Sequence, residues 1–185
     1  MALKIASPDI AHKTEAGGVA LRLESAEAVH AAGERILASV RRHAPEAHID
    51  GLQVQKMMPP GHEVVVGVAR DPDFGPLVMV GLGGIHIEVL RDVAFAPAPL
   101  TAAGAHALIG RLKAGAILRG VRGQPAADVD ALAQLLVNVS EMAAAHAGRI
   151  REIDLNPVLV YPAGQGAVAV DALVVLETRG PVDHA

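Results

Sequence analysis

Apolar and polar positions alternate along this chain in short stretches, with three longer helical segments set among them. Ala2 to Ile5 and Val19 to Leu23 have the short apolar or alternating pattern of strands. Ser25 stands before Glu27 and Ala28 as an N-cap signal, and Ala26 to Arg42 continues as an amphipathic helix. Val29, Ile36, Leu37 and Val40 fall near one face of it, and Pro45 lies just beyond its end. Leu52 to Met58 predicts a strand stopped by Pro59-Pro60-Gly61. His62 to Val68 and Leu77 to Val80 predict neighbouring strands, joined by the turn-rich run Arg70 to Pro76. A glycine turn at Gly81 to Gly84 leads into a strand from Ile85 to Leu90. Thr101 opens a helix to about Lys113, and Asp128 a longer one to about His146. Ile150 to Val160 and Ala167 to Leu176 predict a hairpin around the turn Pro162 to Gly166.

Strict alternation of strand and helix is missing, so the pattern predicts an α+β fold rather than a doubly wound one. The proline block divides the chain into a small lobe, residues 1–58, and a larger lobe, residues 59–180, with a tail at 181–185. A cleft between two lobes is a common place for a ligand. The first strand begins almost at Met1, which suggests that further sequence precedes it.

Composition narrows the function. Half of the 185 residues are apolar, but there is one Tyr, two Phe and no Trp, so the core must be aliphatic. The formal charge is −4, with both signs mixed and no basic run. A nucleic-acid partner would call for a basic stripe with stacking aromatics, and neither is present. No apolar run approaches the roughly 20 residues of a membrane span, and the start has no signal-peptide pattern. The absence of Cys excludes disulfides and thiolate zinc sites and fits a reducing cytoplasm.

Several residues carry candidate chemistry. Lys4 lies in an otherwise apolar strand, where an ammonium is expensive to bury without an anion such as a nucleotide phosphate. A solvent-facing lysine at a frayed strand end is the plainer reading of the residues alone. The loop Ser7 to Gly18 joins His12, able to attack phosphorus as neutral imidazole, to Gly17-Gly18, which let a backbone approach a phosphate. Gln55, Lys56, Met57 and Met58 end a strand at the lobe break and offer the amides and thioethers that adenine needs; core packing is the alternative. Glu63 is placed to accept from ribose hydroxyls, or is an exposed strand carboxylate.

Glu152, Asp154 and Asn156 share one strand face by the period of two, and hairpin pairing brings Asp171 near Asn156. Hard oxygen donors of this kind, completed by phosphate oxygens, suit Mg²⁺; the alternative is a hairpin that merely has one polar face. The nine His have no recognised zinc spacing, and His30, His43, His48, His106 and His146 read as surface residues. Ser140 has no nucleophile-elbow context.

Taken in order, these segments resemble one family. The runs are Leu3 to Thr14 with Gly17-Gly18-Val19, Glu63 to Pro76, and Gly81 through Glu88 to Phe95 with Pro99-Leu100. Gly120 to Gly123 and Asp154-Leu155-Asn156-Pro157 complete the set. The set is similar to the ATP-grasp module of NDP-forming (ADP-forming) acyl-CoA synthetases, related to the β subunit of succinyl-CoA synthetase.

The resemblance implies an ATP-grasp fold with a nucleotide cleft and an N-terminal lobe that here looks incomplete. It implies exchange of acyl-CoA, ADP and phosphate with acid, ATP and CoA. Lys4 then matches a phosphate contact, His12 a phosphoryl acceptor and Asp154 the acid that orients a phosphohistidine. Gln55 to Met58 match the adenine-holding hinge with Glu63 beside it, and Asn156 and Asp171 match the magnesium pair. CoA-binding and ligase domains are the implied partners, in the same chain or another, and activity in isolation is not expected. The acyl substrate and oligomeric state are not readable here. Ala96 follows Phe95 where many relatives have Arg, which implies a weaker anion contact. The alternative function is a non-catalytic, nucleotide-sensing module like those fused to protein acetyltransferases.

Overall fold

The computed structural model describes residues 1–10, 13–83, 92–120 and 125–177. They fall into two compact units that meet in sequence between Pro59 and Pro60.

In the first unit, β1 (Ala2–Ala6) lies between β2 (Val19–Ala20) and β3 (Gly51–Gln55) in an antiparallel sheet. Helix α1 (Ala26–His43) packs on it. Leu3 and Ile5 point toward the helix and bury against Ala32, Ile36 and Val40. Ser25 caps α1, its hydroxyl accepting from Ala28 N at 3.1 Å.

Among the described residues the second unit is built on a six-stranded antiparallel sheet. Its strands are β4 (His62–Asp71), β5 (Gly75–Leu82), β6 (Val93–Pro97), β7 (Ile150–Val160), β8 (Ala167–Ala169) and β9 (Ala172–Leu176). The order is β6-β5-β4-β7-β8, and β9 also pairs with β7. One face packs on α2 (Ala102–Gly110) and α3 (Val129–Ala145), with Val66, Val80, Leu108, Leu132, Leu136 and Ile153 at its centre. Each such side chain contributes about 1.5–3 kcal/mol by leaving water. The caps are those the sequence predicts: Thr101 accepts from Gly104 N at 3.1 Å and Asp128 from Ala131 N at 3.0 Å. Among the described residues no helix is long and apolar enough to cross a membrane.

The α+β architecture agrees with the hydrophobic pattern, but some elements differ. The strand expected at Val19 to Leu23 pairs only over Val19–Ala20, and Leu23 instead donates its N–H to Met1 O at 2.9 Å. The strand expected to reach Met58 stops at Gln55, because β1, its partner among the described residues, begins at Ala2, opposite Gln55. The partner arm Ala167 to Leu176 is two strands, broken at Val170 and Asp171. Strand β6 was not anticipated; its apolar run is short and ends in Pro97. The strand expected at Ile85 to Leu90 and the tail lie outside the described residues.

Candidate functional site

Side chains paired across neighbouring strands share a face. In the first unit Lys4 stands opposite Val19 on one side and Gln53 on the other, and Ala2 stands opposite Gln55. Lys4, Gln53 and Gln55 therefore share the sheet face away from α1. Lys4 is only 5% exposed, which overturns the reading of a frayed, solvent-facing lysine. It occupies the central strand of its sheet, so neighbours flank it on both sides. Beyond Gln55 the chain leaves regular structure, with Lys56 and Met57 exposed and Met58 half-buried.

The loop after β1 is fastened at both ends. Asp9 Oδ2 accepts from His48 N at 2.7 Å, and Ser39 Oγ donates to Ala16 O at 3.1 Å. Gly18 donates to Lys13 O at 2.7 Å and accepts from Ile5 N at 2.8 Å. A Cβ at Gly18 would come within 2.6 Å of Ile5 Cγ2 and 2.9 Å of Lys13 O, so only glycine permits this return to β1. His12, at the tip of this loop in sequence, lies outside the described residues, as do Gly84 and Glu88.

In the second unit the sheet face away from α2 and α3 collects the candidate acids. Ile153 and Leu155 bury in the core, which turns Glu152, Asp154 and Asn156 to the opposite face. Between Leu155 and Val158 the pairing of β7 with β4 slips, which leaves the bulged Asn156-Pro157 opposite Val65. Asn156 N donates to Asp171 O at 3.3 Å, and Val170 N donates to Pro157 O at 2.9 Å. The predicted approach of Asn156 and Asp171 across the hairpin is thus present, and Asp171 sits in the break between β8 and β9. Its carboxylate Oδ1 accepts from Ala172 N at 3.2 Å.

Glu63 is exposed, and its carbonyl accepts from Gly83 N at 2.6 Å. A Cβ at Gly83 would lie 2.8 Å from Glu63 Cβ, so the chain passes closer here than any other residue would allow.

The turn Pro162 to Gly166 is held by Asp128, whose Oδ2 accepts from Gly166 N at 2.8 Å while Oδ1 caps α3. These backbone hydrogen bonds, led by that from Gly166, hold its carboxyl below the ordinary Asp range. Sequence reasoning gave Asp128 only the cap. It also missed Asp92, which is buried and binds Lys113 N at 2.8 Å and Ala114 N at 2.7 Å. An acid directly before the apolar run Val93 to Ala96 was the only available signal. Ser140, which has no nucleophile context in the sequence, is fully buried between Leu100 N and Val137 O, at 2.9 and 2.7 Å, and pins the packing there. The five histidines read as surface residues are exposed.

Among the described residues no three His, Cys, Asp or Glu side chains cluster to hold a metal. The pair Asn156 and Asp171 offers one amide and one carboxylate, a donor set that fits a hard cation sharing its coordination with phosphate oxygens.

A family model of the ATP-grasp domain matches residues 1–176. The β subunit of acetate–CoA ligase [ADP-forming] II from Pyrococcus furiosus is 42% identical over 177 residues, covering 96% of this chain and 75% of the subunit. This chain is an ATP-grasp domain of the ADP-forming acyl-CoA synthetase family. Acetate–CoA ligase [ADP-forming] I of Archaeoglobus fulgidus is 46% identical over 166 residues, which cover 90% of this ATP-grasp chain but 24% of that longer enzyme.

The dinucleotide-forming acetyl-coenzyme A synthetase 1 of Candidatus Korarchaeum cryptofilum, solved with coenzyme A and Ca-AMPCP, superposes with a TM-score of 0.90 at 42% identity. That match covers 95% of the ATP-grasp chain and 76% of the solved one. The same enzyme has been solved with coenzyme A and Mg-AMPPCP, its phosphohistidine segment pointing towards the nucleotide-binding site. That state matches with a TM-score of 0.79 at 38% identity, over 96% of this chain and 76% of the solved one.

Proposed function

We propose that this chain is the nucleotide module of an ADP-forming acyl-CoA synthetase, moving phosphate between ATP or ADP and a phosphohistidine. The observation that carries the reading is the meeting of Asn156 and Asp171 at the strand break, beside Asp154, in a chain that matches the ATP-grasp domain over 176 residues.

Toward acid and ATP, an oxygen of the ADP β-phosphate attacks phosphorus; the new P–O bond forms as the P–N bond to histidine breaks. The reverse direction charges the histidine. Such transfers depend on positioning and charge neutralisation more than on covalent help from the protein. Lys4 neutralises a phosphate, and its burial strengthens that interaction. Gln55 to Met58 hold adenine through backbone amides and thioethers, and Glu63 accepts from ribose. Asn156 and Asp171 would hold Mg²⁺, which would supply charge neutralisation at the nucleotide phosphates. Asp154 orients the phosphohistidine, and His12 accepts the phosphoryl group within this module.

The first unit, Met1–Pro59, carries Lys4 and the Gln55 to Met58 run, and the second carries Glu63, Asp154, Asn156 and Asp171. Thioester chemistry belongs to CoA-binding and ligase domains, in a companion polypeptide or elsewhere in a longer chain, and the setting is the cytoplasm.

The phosphocarrier step is tested by reassembling the synthetase with γ-labelled ATP. An acid-labile, alkali-stable label on this chain that disappears in His12→Ala supports it. A label unaffected by His12→Ala removes the role of His12, and failure of the chain to bind Mg·ADP removes the whole reading.

A further inference from the structure

The chain has only two phenylalanines, and both are exposed: Phe74 at 68% and Phe95 at 49%. The core is aliphatic among the described residues, so neither ring is spent on folding. Phe95 lies on β6, the outer strand of the large sheet among the described residues, on the face away from α2 and α3.

Strand register makes a continuous panel there. One row runs Phe95, Met79, Gly67, Asp154 and Leu173. The next runs Pro97, Leu77, Ala69, Glu152 and Val175. The β6 half of both rows is apolar and exposed or half-buried, apart from the buried Gly67. Phe74 sits in the β4–β5 turn, five residues along from Met79, a reach of about 16 Å. Carboxylates rim the panel: Glu152 and Asp154 along one side, Asp73 at the turn.

We propose that this panel is where the polypeptide carrying the CoA-binding and ligase domains docks, an assignment that rests on the functional reading above. Members of the family occur as a β subunit and as about a quarter of a longer chain, so the module is built to work against further protein. Exposed aromatic anchors beside Met and Leu are the composition of an interface centre. The acidic rim selects a partner face with apolar side chains flanked by Lys or Arg.

Strand addition is the less suitable mode, because Arg111 Nη1 already donates to Phe95 O at 3.2 Å and Pro97 closes the strand. Docking therefore proceeds through side chains. The panel includes Asp154, so a partner seated on it presents its own groups next to the candidate phosphate site.

The test measures association of the purified chain with the CoA-binding and ligase polypeptide of its own synthetase. Phe95→Ala and Phe74→Ala are each expected to weaken association at least tenfold. Glu152→Lys should weaken it in a salt-dependent way. Mg·ADP binding to the isolated chain should be unchanged in both Phe variants.

Association within twofold of wild type in both Phe variants overturns the proposal. So does a loss of self-association in those variants with partner binding intact, which would make the panel a face between copies. If either Phe variant melts early, Glu152→Lys decides, and an unchanged affinity there overturns it. Wild-type chain that binds the partner but not Mg·ADP would instead defeat the functional reading and leave the interface standing.

Discussion

The backbone N–H of Asn156 donates to the carbonyl oxygen of Asp171 at 3.3 Å, across the point where β8 gives way to β9. Two sequence features produce this contact. The bulge at Asn156-Pro157 interrupts pairing on one side of β7, and Val170-Asp171 interrupts the strand on the other. The hairpin thereby brings the backbones of Asn156 and Asp171 together, and the core face of β7 resumes at Val158.

Lys4 is expected to serve binding rather than folding. Lys4→Met keeps an unbranched side chain of similar length in the same strand and removes the ammonium. Charge-assisted hydrogen bonds are worth roughly 1.5–3 kcal/mol, so Mg·ADP affinity should fall about 10- to 100-fold. Calorimetric titration and a thermal melt, taken together, check that the loss is in binding alone.

Gly83→Ala should cost about 1–3 kcal/mol, because the new methyl overlaps Glu63 and the strands must separate. The strain falls on Glu63, so nucleotide affinity should drop as well. Urea unfolding and an ADP titration on one preparation measure both effects.

Ser140→Ala leaves the buried Leu100 N–H without its acceptor. The expected loss is about 1–3 kcal/mol of stability. Nucleotide binding should not change, which separates this serine from any catalytic role.

Asp128 makes stability depend on acid. Its folded carboxyl ionises below the ordinary value of 3.8, so its stabilisation is complete above that pH. The stabilisation is lost as pH falls through the lower folded value. The stability gap between wild type and Asp128→Asn should therefore be widest near neutrality and close below about pH 3.8, in melts followed by circular dichroism.

The helices were legible because their caps are local: Ser25, Thr101 and Asp128 each bond the amide three residues on. Strands β4, β5 and β7 were legible from their long apolar pattern. Strand β6 was not, because Val93-Ala94-Phe95-Ala96-Pro97 has no polar alternation and its identity depends on pairing with β5. The polar face of β7 followed from periodicity, and hairpin pairing gave the approach of Asp171. Burial of Lys4 was hidden, because it depends on flanking strands from residues about 15 and 49 positions away. Asp128's second bond, to Gly166, was hidden for the same reason.

Titration of the purified chain with ADP, with and without Mg²⁺, tests the nucleotide site most directly. Wild type should bind ADP tightly only when Mg²⁺ is present, and Asp171→Ala should bind at least tenfold more weakly while melting near the wild-type temperature. Equal Mg²⁺-dependent affinity in wild type and Asp171→Ala would contradict the assignment of the hairpin break as the metal and phosphate site.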